Sequence, residues 1–134
     1  HGNIIENHCQ KCKKPYEGNI DYSSEELPKC TYCNGMIRPS VVWFGEFLPQ
    51  DAIFGGEAAA AECDVFFSAG TAAEVFPAAN LPRIAKQNGA FLIEVNPNET
   101  VLTSSADYSI REPSGIGLPK LLKDFKDHLQ NEEK

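Results

Sequence analysis

The sequence predicts an α/β protein, a mostly parallel sheet with helices on both faces, joined to a small module that a metal ion holds together. Three observations carry that expectation. Short β-branched and aromatic runs alternate with helical stretches through the later part of the chain. Two Cys-x-x-Cys pairs, Cys9/Cys12 and Cys30/Cys33, stand 17 residues apart near its start. The segment around them is turn-rich, with Pro15, Gly18, Asn19, Pro28, Asn34 and Gly35, and has few large apolar residues, so it cannot fold on hydrophobic burial alone.

The strands expected for the sheet are Val41 to Phe44, Val65 to Ala69, Phe91 to Val95 and Tyr108 to Ile110. They are continuous rather than alternating in hydrophobicity, the pattern of strands covered on both faces. A helix is expected over Asp51 to Cys63, weakened by Gly55 and Gly56. A second starts near Pro82, a residue suited to a first helical turn, and stops at Asn88-Gly89. The last begins near Pro119 and repeats Leu118, Leu121, Leu122, Phe125 and Leu129 at helical spacing, which predicts one face packed on the sheet.

With 134 residues, 42% of them hydrophobic, the chain has the size and composition of one globular domain. No stretch approaches the roughly 20 apolar residues of a membrane span. The net charge of −7, from 19 acidic and 12 basic side chains, disfavours nucleic acid and anionic lipid and makes a basic peptide the more natural partner. The cysteine pairs have metal spacing rather than a disulfide pattern and no secretory signal precedes them, so the expectation is a cytoplasmic monomer. The triplet Asn98-Glu99-Thr100 matches a glycosylation acceptor, which has no meaning in that setting. The start at His1, without an initiator Met, implies a chain cut from something longer.

Each cysteine pair sits on a tight turn that can aim two thiolates at one point, and two such turns complete a tetrahedron of sulfurs around zinc. Four protein ligands leave no position for water, so this Zn2+ is structural rather than catalytic. Cys63 stands alone after an apolar helix and reads as a buried structural thiol. The strand Val65 to Ala69 runs into Gly70-Thr71-Ala72, where backbone amides could approach a phosphate or ribose, although glycine suits any turn. Asn96-Pro97-Asn98 ends another strand, either as plain turn chemistry or as a side chain offered to a sugar hydroxyl. The run Arg38 to Glu46 reads as a strand leaving the sheet at Gly45, where exposed backbone could pair with an extended peptide.

Taken in order, His1-Gly2-Asn3, the two cysteine pairs, RPSVVWFGE (38–46), CDVFFSAGTAAEVFPAA (63–79), Glu94 to Thr100, and Ser114-Gly115 before Leu118-Pro119 resemble the sirtuin family from His1 to about Leu129. The resemblance implies an NAD-dependent protein lysine deacylase, transferring an acyl group from lysine to ADP-ribose with release of nicotinamide. It implies the later half of a Rossmann-type domain: residues 1–4 end a catalytic segment, 5–38 form the zinc-binding module, 39–130 the NAD-binding half, and 131–134 a disordered tail. His1 is then the catalytic base, a role suited to a pKa near neutrality. Gly70, Thr71, Ala72, Asn96, Pro97, Asn98 and Ser114 are the implied NAD contacts, with Ala72 standing where the family carries serine. Val41, Phe44, Gly45, Glu46, Glu74 and Val75 are the implied borders of an acyl-lysine peptide groove.

The family's glycine-rich phosphate turn and Gln-Asn-x-Asp segment are missing, so the chain is expected to be inactive alone. The cysteine spacing and the RPSVVWFGE run resemble the branch that removes acidic acyl groups. Two other readings stand beside the deacylase: a zinc-ribbon binding module without catalysis, which leaves residues 39–134 unexplained, and an ADP-ribosyl-transferring relative that uses another acceptor.

Overall fold

The strand pair flanking the cysteine module consists of β1 (Gly2–Cys9) and β2 (Ile37–Val41), antiparallel, with Cys9 opposite Ile37 and Gly2 opposite Val41. The computed structural model describes residues 2–21 and 23–132. His1, the implied catalytic base, therefore lies outside the described residues. β1 was not expected from GNIIENHC, which is rich in asparagine and poor in strand formers. It pairs because the module returns the chain from Cys33 to Ile37 beside Cys9, and the register slips between Asn3 and Asn7.

The strand expected over Val41–Phe44 is displaced four residues toward the amino terminus, and it belongs to this antiparallel pair rather than to the parallel sheet. The physical reason is a side-chain lock. Arg38 Nη2 donates to Glu46 Oε2 at 2.9 Å and to the Val41 carbonyl at 3.0 Å, while the Trp43 amide donates to Glu46 Oε2 at 3.0 Å. The chain therefore turns after Val41 and does not run extended to Gly45. By its contacts the chain separates into two compact units, His1–Leu48 and Pro49–Lys134, so β2 lies with the cysteine module.

The second unit contains α1 (Gln50–Glu62), β3 (Val65–Ala69), a 3-10 turn (Ala78–Asn80), α2 (Leu81–Gln87), β4 (Phe91–Val95), β5 (Tyr108–Ile110) and α3 (Ser114–Glu132). β3, β4 and β5 form a parallel sheet in that order, as the alternation of apolar and helical runs predicts. Helices cover both faces. Ala60 of α1 and Ala85 of α2, with Ala90, make a core of small side chains against which Phe66, Leu81 and Ile84 pack. On the opposite face Gly117 of α3 comes so close that an added Cβ would stand 2.8 Å from Ile110 Cγ2 and 3.4 Å from Val95 Cγ1. Asp107 ties the entry to β5 to β4: its amide donates to the Leu92 carbonyl at 2.9 Å, its Oδ2 accepts the Leu92 amide at 2.7 Å, and its Oδ1 pairs with Lys86.

Four expectations change in this unit. α3 begins at Ser114 rather than near Pro119, because Gly117 lets its first turns lie on the sheet, and Pro119 sits inside the helix. It also runs through Asn131 and Glu132, which were expected in a tail; the last two residues are outside the description. The apolar stripe of α3 is only partly covered. Leu118 and Leu121 are half-buried, whereas Leu122 and Phe125 are 54% and 57% exposed. The reason is length, since 19 helical residues extend about 28 Å while a five-residue strand extends about 17 Å. For the same lack of cover, Val65, Phe67 and Phe91 are about half exposed rather than enclosed on both faces.

Leu92 is 1% exposed, so Leu92→Ala should lower the unfolding free energy by about 3 kcal/mol, read from the urea midpoint at unchanged slope. Leu122→Ala should cost about 0.5 kcal/mol or less. Equal losses at both positions would show that the α3 stripe is buried after all.

Candidate functional site

The four predicted metal ligands come together. Their sulfurs lie within 4.8 Å of one another, with Cys9 Sγ 3.4 Å from Cys33 Sγ and Cys12 Sγ 3.7 Å from Cys30 Sγ. Four sulfurs held tetrahedrally at about 2.3 Å from one centre are separated by about 3.8 Å, so the cluster has the dimensions of a zinc tetrahedron.

The two turns that build it are near copies. In the first, the Lys13 amide donates to the Cys9 carbonyl at 2.9 Å and the Cys9 amide to the Lys14 carbonyl at 2.9 Å. In the second, the Asn34 amide donates to the Cys30 carbonyl at 2.9 Å and the Cys30 amide to the Gly35 carbonyl at 2.8 Å. Lys13 and Asn34, at equivalent positions, both adopt left-handed backbone, with φ of 62° and 57°. Gly35 is required for space: a Cβ there would stand 3.0 Å from Cys9 Sγ and 3.3 Å from Cys33 Sγ. Lys14 Nζ sits 4.0 Å above the Tyr32 ring and links one turn to the other.

Two of the four sulfurs, those of Cys9 and Cys30, are prepared as anions, whereas Cys12, although the Lys14 backbone contact lowers it, is pushed up to about 11 by burial and the neighbouring thiols. The Cys12 amide donates to Cys9 Sγ and the Tyr32 amide to Cys30 Sγ, both at 3.4 Å. The Cys12 amide is the main cause that lowers Cys9 to about 6, against the opposing effect of desolvation. Cys30 is lowered chiefly by the Tyr32 amide. A thiolate is the form that binds metal, so the backbone favours the ligand state. The remaining histidine of this unit, His8, is not a ligand; its Nδ1 lies 2.9 Å from Ser40 Oγ. Cys63 is half-buried against the alanine core and donates to the Ala60 carbonyl at 3.4 Å.

In the second unit the implied nucleotide contacts also converge. Ala69 pairs with Val95, so β3 and β4 end at the same level and their tip loops are neighbours. The Gly70 amide donates to the Val95 carbonyl at 2.9 Å, and Asn96 Nδ2 donates to the Thr71 carbonyl at 3.1 Å. Gly70 has φ +67°, the left-handed region that favours glycine, and a Cβ there would lie 3.8 Å from Ser114 Oγ. Gly70, Thr71, Asn96 and Ser114 therefore share one end of the sheet, with Ser114 opening α3. Thr71 folds its hydroxyl back to accept the Ala73 amide at 3.1 Å, and Asn96 Oδ1 accepts the Asn98 amide at 3.0 Å. Ala72, Pro97 and Asn98 are exposed on these loops.

A family model described as the Sir2 family matches residues 1–77. An NAD-dependent protein deacylase of Aquifex aeolicus is 45% identical, the match covering 90% of this chain and 51% of that protein. This chain belongs to the Sir2 family. A solved Sir2 homologue in complex with NAD superposes at TM-score 0.87 with 41% identity, over 96% of this chain and 50% of its own. A Sir2 protein bound to a propionylated peptide superposes at 0.83 with 30% identity, over 94% and 54%. The chain spans about half the length of the curated relatives it matches.

Not all residues implied as site residues of this Sir2-family chain lie in one unit. Val41, Phe44, Gly45 and Glu46 belong to the first, Glu74 and Val75 to the second. Phe44 is 94% exposed and Val75 is exposed as well. Glu46 faces inward to Arg38 and the Trp43 amide, and these two partners, Arg38 first, pull its carboxyl from 4.5 down to about 2. Residue spacing missed Glu94, Thr100, Thr103 and Arg111, which form a network under the Asn96–Asn98 loop. The available signal was a carboxylate inside the apolar run FLIEV, since a buried charge has to be paired. Among the described residues no helix is long and apolar enough to cross a membrane.

Replacing Cys30 by Ser, or stripping the metal with a chelator, should release one zinc per chain and unfold the first unit while the β3 and β4 amide resonances stay dispersed. A metal-free chain that keeps β1 and β2 paired would overturn the metal assignment. Because the folded pKa of Glu46 lies below its unfolded value, the stability it contributes is full above about 4.5 and vanishes as pH falls toward 2. Glu46→Gln should therefore flatten the acid limb of the first unit's stability profile between those values; an unchanged limb would refute the Arg38–Glu46 lock.

Proposed function

We propose that this chain is the zinc-bearing and ribose-binding part of an NAD-dependent protein lysine deacylase. The observation that supports it most is the meeting of Gly70, Thr71, Asn96 and Ser114 at the carboxyl end of a parallel sheet, where dinucleotides bind in such folds. Bound NAD supplies the ADP-ribose that accepts the acyl group and the nicotinamide that leaves. Gly70 and Thr71 let the backbone approach the cofactor, Asn96 and Asn98 hold the adenosine ribose, and Ser114 at the start of α3 lies near the adenine end. Ala72 offers no hydroxyl, and one hydrogen bond to the cofactor is lost there.

His1 would hold the proton-transfer role, taking the proton of a ribose hydroxyl of bound NAD, work to which an imidazole is suited. Val41, Phe44 and Gly45 are assigned to the acyl-lysine peptide, as by the same resemblance are Glu74 and Val75. Glu46 serves there by fixing the turn rather than by contacting the peptide, because Arg38 and the Trp43 amide already occupy its oxygens. Strand-like pairing with a peptide backbone selects weakly among sequences, so a broad set of acyl-lysine substrates follows. Zinc takes no part in the chemistry; it shapes the module from which β1 and β2 emerge. A cytoplasmic monomer fits this reading.

Nicotinamide release that requires an acylated peptide separates a deacylase from a zinc-ribbon module and from an ADP-ribosyl transferase. The 134 residues alone should show none, and a chimera with the unmatched half of the Aquifex aeolicus relative should show it. Turnover by the isolated chain at the rate of that intact relative would refute the division of labour, and peptide-independent nicotinamide release by the chimera would favour the transferase.

A further inference from the structure

Glu94 is a carboxylate near the carboxyl end of the central strand, 1% exposed. Four groups converge on it. The Thr100 hydroxyl donates to Oε1; the Thr103 hydroxyl at 2.8 Å and the Ser109 hydroxyl at 3.3 Å donate to Oε2, which also lies 2.7 Å from Arg111 Nη2. Burial alone would push this carboxyl up, but Thr100, Arg111 and Thr103 outweigh it and hold it below the ordinary carboxylate range.

The network does not stop at the carboxylate. Arg111 Nη1 donates to the carbonyls of Asn96 at 3.3 Å and Asn98 at 3.4 Å, and Nη2 donates to Thr103 Oγ1 at 3.0 Å. Thr103 Oγ1 further accepts the Thr100 amide at 2.9 Å, and Thr100 Oγ1 accepts the Leu102 amide at 3.1 Å. Each threonine hydroxyl thus spends its one proton on Glu94 and turns its lone pairs to the loop backbone. The guanidinium of Arg111 has a fixed planar fork, so its pairing with Glu94 sets where its other nitrogen can meet the two carbonyls. With those carbonyls turned inward, the Asn96 and Asn98 side chains are left on the outer side, and Asn96 reaches Thr71.

We propose that Glu94, acting through Arg111, is a positioning residue that sets the pose of the Asn96–Asn98 loop and thereby its affinity for the ribose of an ADP-ribosyl ligand. This rests on the reading that the loop holds that ribose. An apolar side chain at the centre of the sheet would serve stability at least as well, because a buried ion pair is a poor source of net stability. What a carboxylate adds is direction: it orients one guanidinium and two threonine hydroxyls, and these bind four loop backbone groups, the Asn96 and Asn98 carbonyls and the Thr100 and Leu102 amides.

The test uses the full 134-residue chain, amide hydrogen exchange without ligand, and titration with millimolar ADP-ribose followed by chemical shift. Glu94→Gln should leave β3 and β4 protected, speed exchange at Thr100 and Leu102, and weaken ADP-ribose about tenfold. The double variant Glu94→Gln, Arg111→Met removes both charges together and should recover much of the lost stability but neither loop protection nor affinity. Should affinity return with stability in the double variant, or should Glu94→Gln bind ADP-ribose as the parent does, the positioning role is overturned. Asn96→Ala separates the two readings. If it weakens ADP-ribose while Glu94→Gln does not, this inference alone fails; if neither Asn96→Ala nor Glu94→Gln changes a measurable parent affinity, or the parent shows no shift at all, the ribose reading fails and takes this one with it.

Discussion

Ala69 and Val95 are partners in a parallel ladder, and the geometry of the loops at that end of the sheet depends on the pairing. Parallel strands in register finish on the same line, so the loops that follow them begin side by side without any sequence instruction linking residue 70 to residue 96. The Gly70 amide closes the ladder on the Val95 carbonyl, and Asn96 crosses to the Thr71 carbonyl. A slip by one residue would turn Glu94 from the enclosed face to the other, where Val65, Phe67 and Phe91 are only half covered. A lone carboxylate cannot be enclosed without Arg111 and the threonine hydroxyls, so the register and the polar network specify one another.

The cysteine module solves a different problem. Between Cys9 and Cys33 there is little apolar surface to bury, and order comes from two equivalent turns that point their sulfurs at a common centre. Metal binding and folding are one equilibrium in such a module. Its consequence reaches past the ligands. β1 has weak strand propensity and forms because Cys9 is held opposite Ile37, and β2 stops at Val41 because Arg38 draws Glu46 back to it. The sequence RPSVVWFGE has the composition of a strand through Phe44, yet one ion pair and one amide contact shorten it.

Legibility differed by the range of the interaction. The cysteine tetrad, β3, β4, β5 and α2 with its Asn88-Gly89 stop were readable because each depends on residues close in sequence. Gly70, Thr71 and Asn96 stood out as strand-end turns that also suit plain turn chemistry, and Ser114 could be named only through resemblance to a family; the ladder supplies the physical reason they meet. Glu94 and Arg111 were passed over because their partners lie 6 to 17 residues away at positions that follow no periodicity, and only the folded loop brings them within reach.

The sequence by itself determined the α/β class, the zinc ligands and the positions of the three parallel strands, since period, spacing and turn chemistry are local properties of the chain. Tertiary structure decided where the chain turns after Val41, how far α3 is covered, and which charged groups hold the Asn96–Asn98 loop. Those outcomes turn on which side chains meet across the fold, and a meeting between distant residues leaves no periodic trace in the chain that makes it.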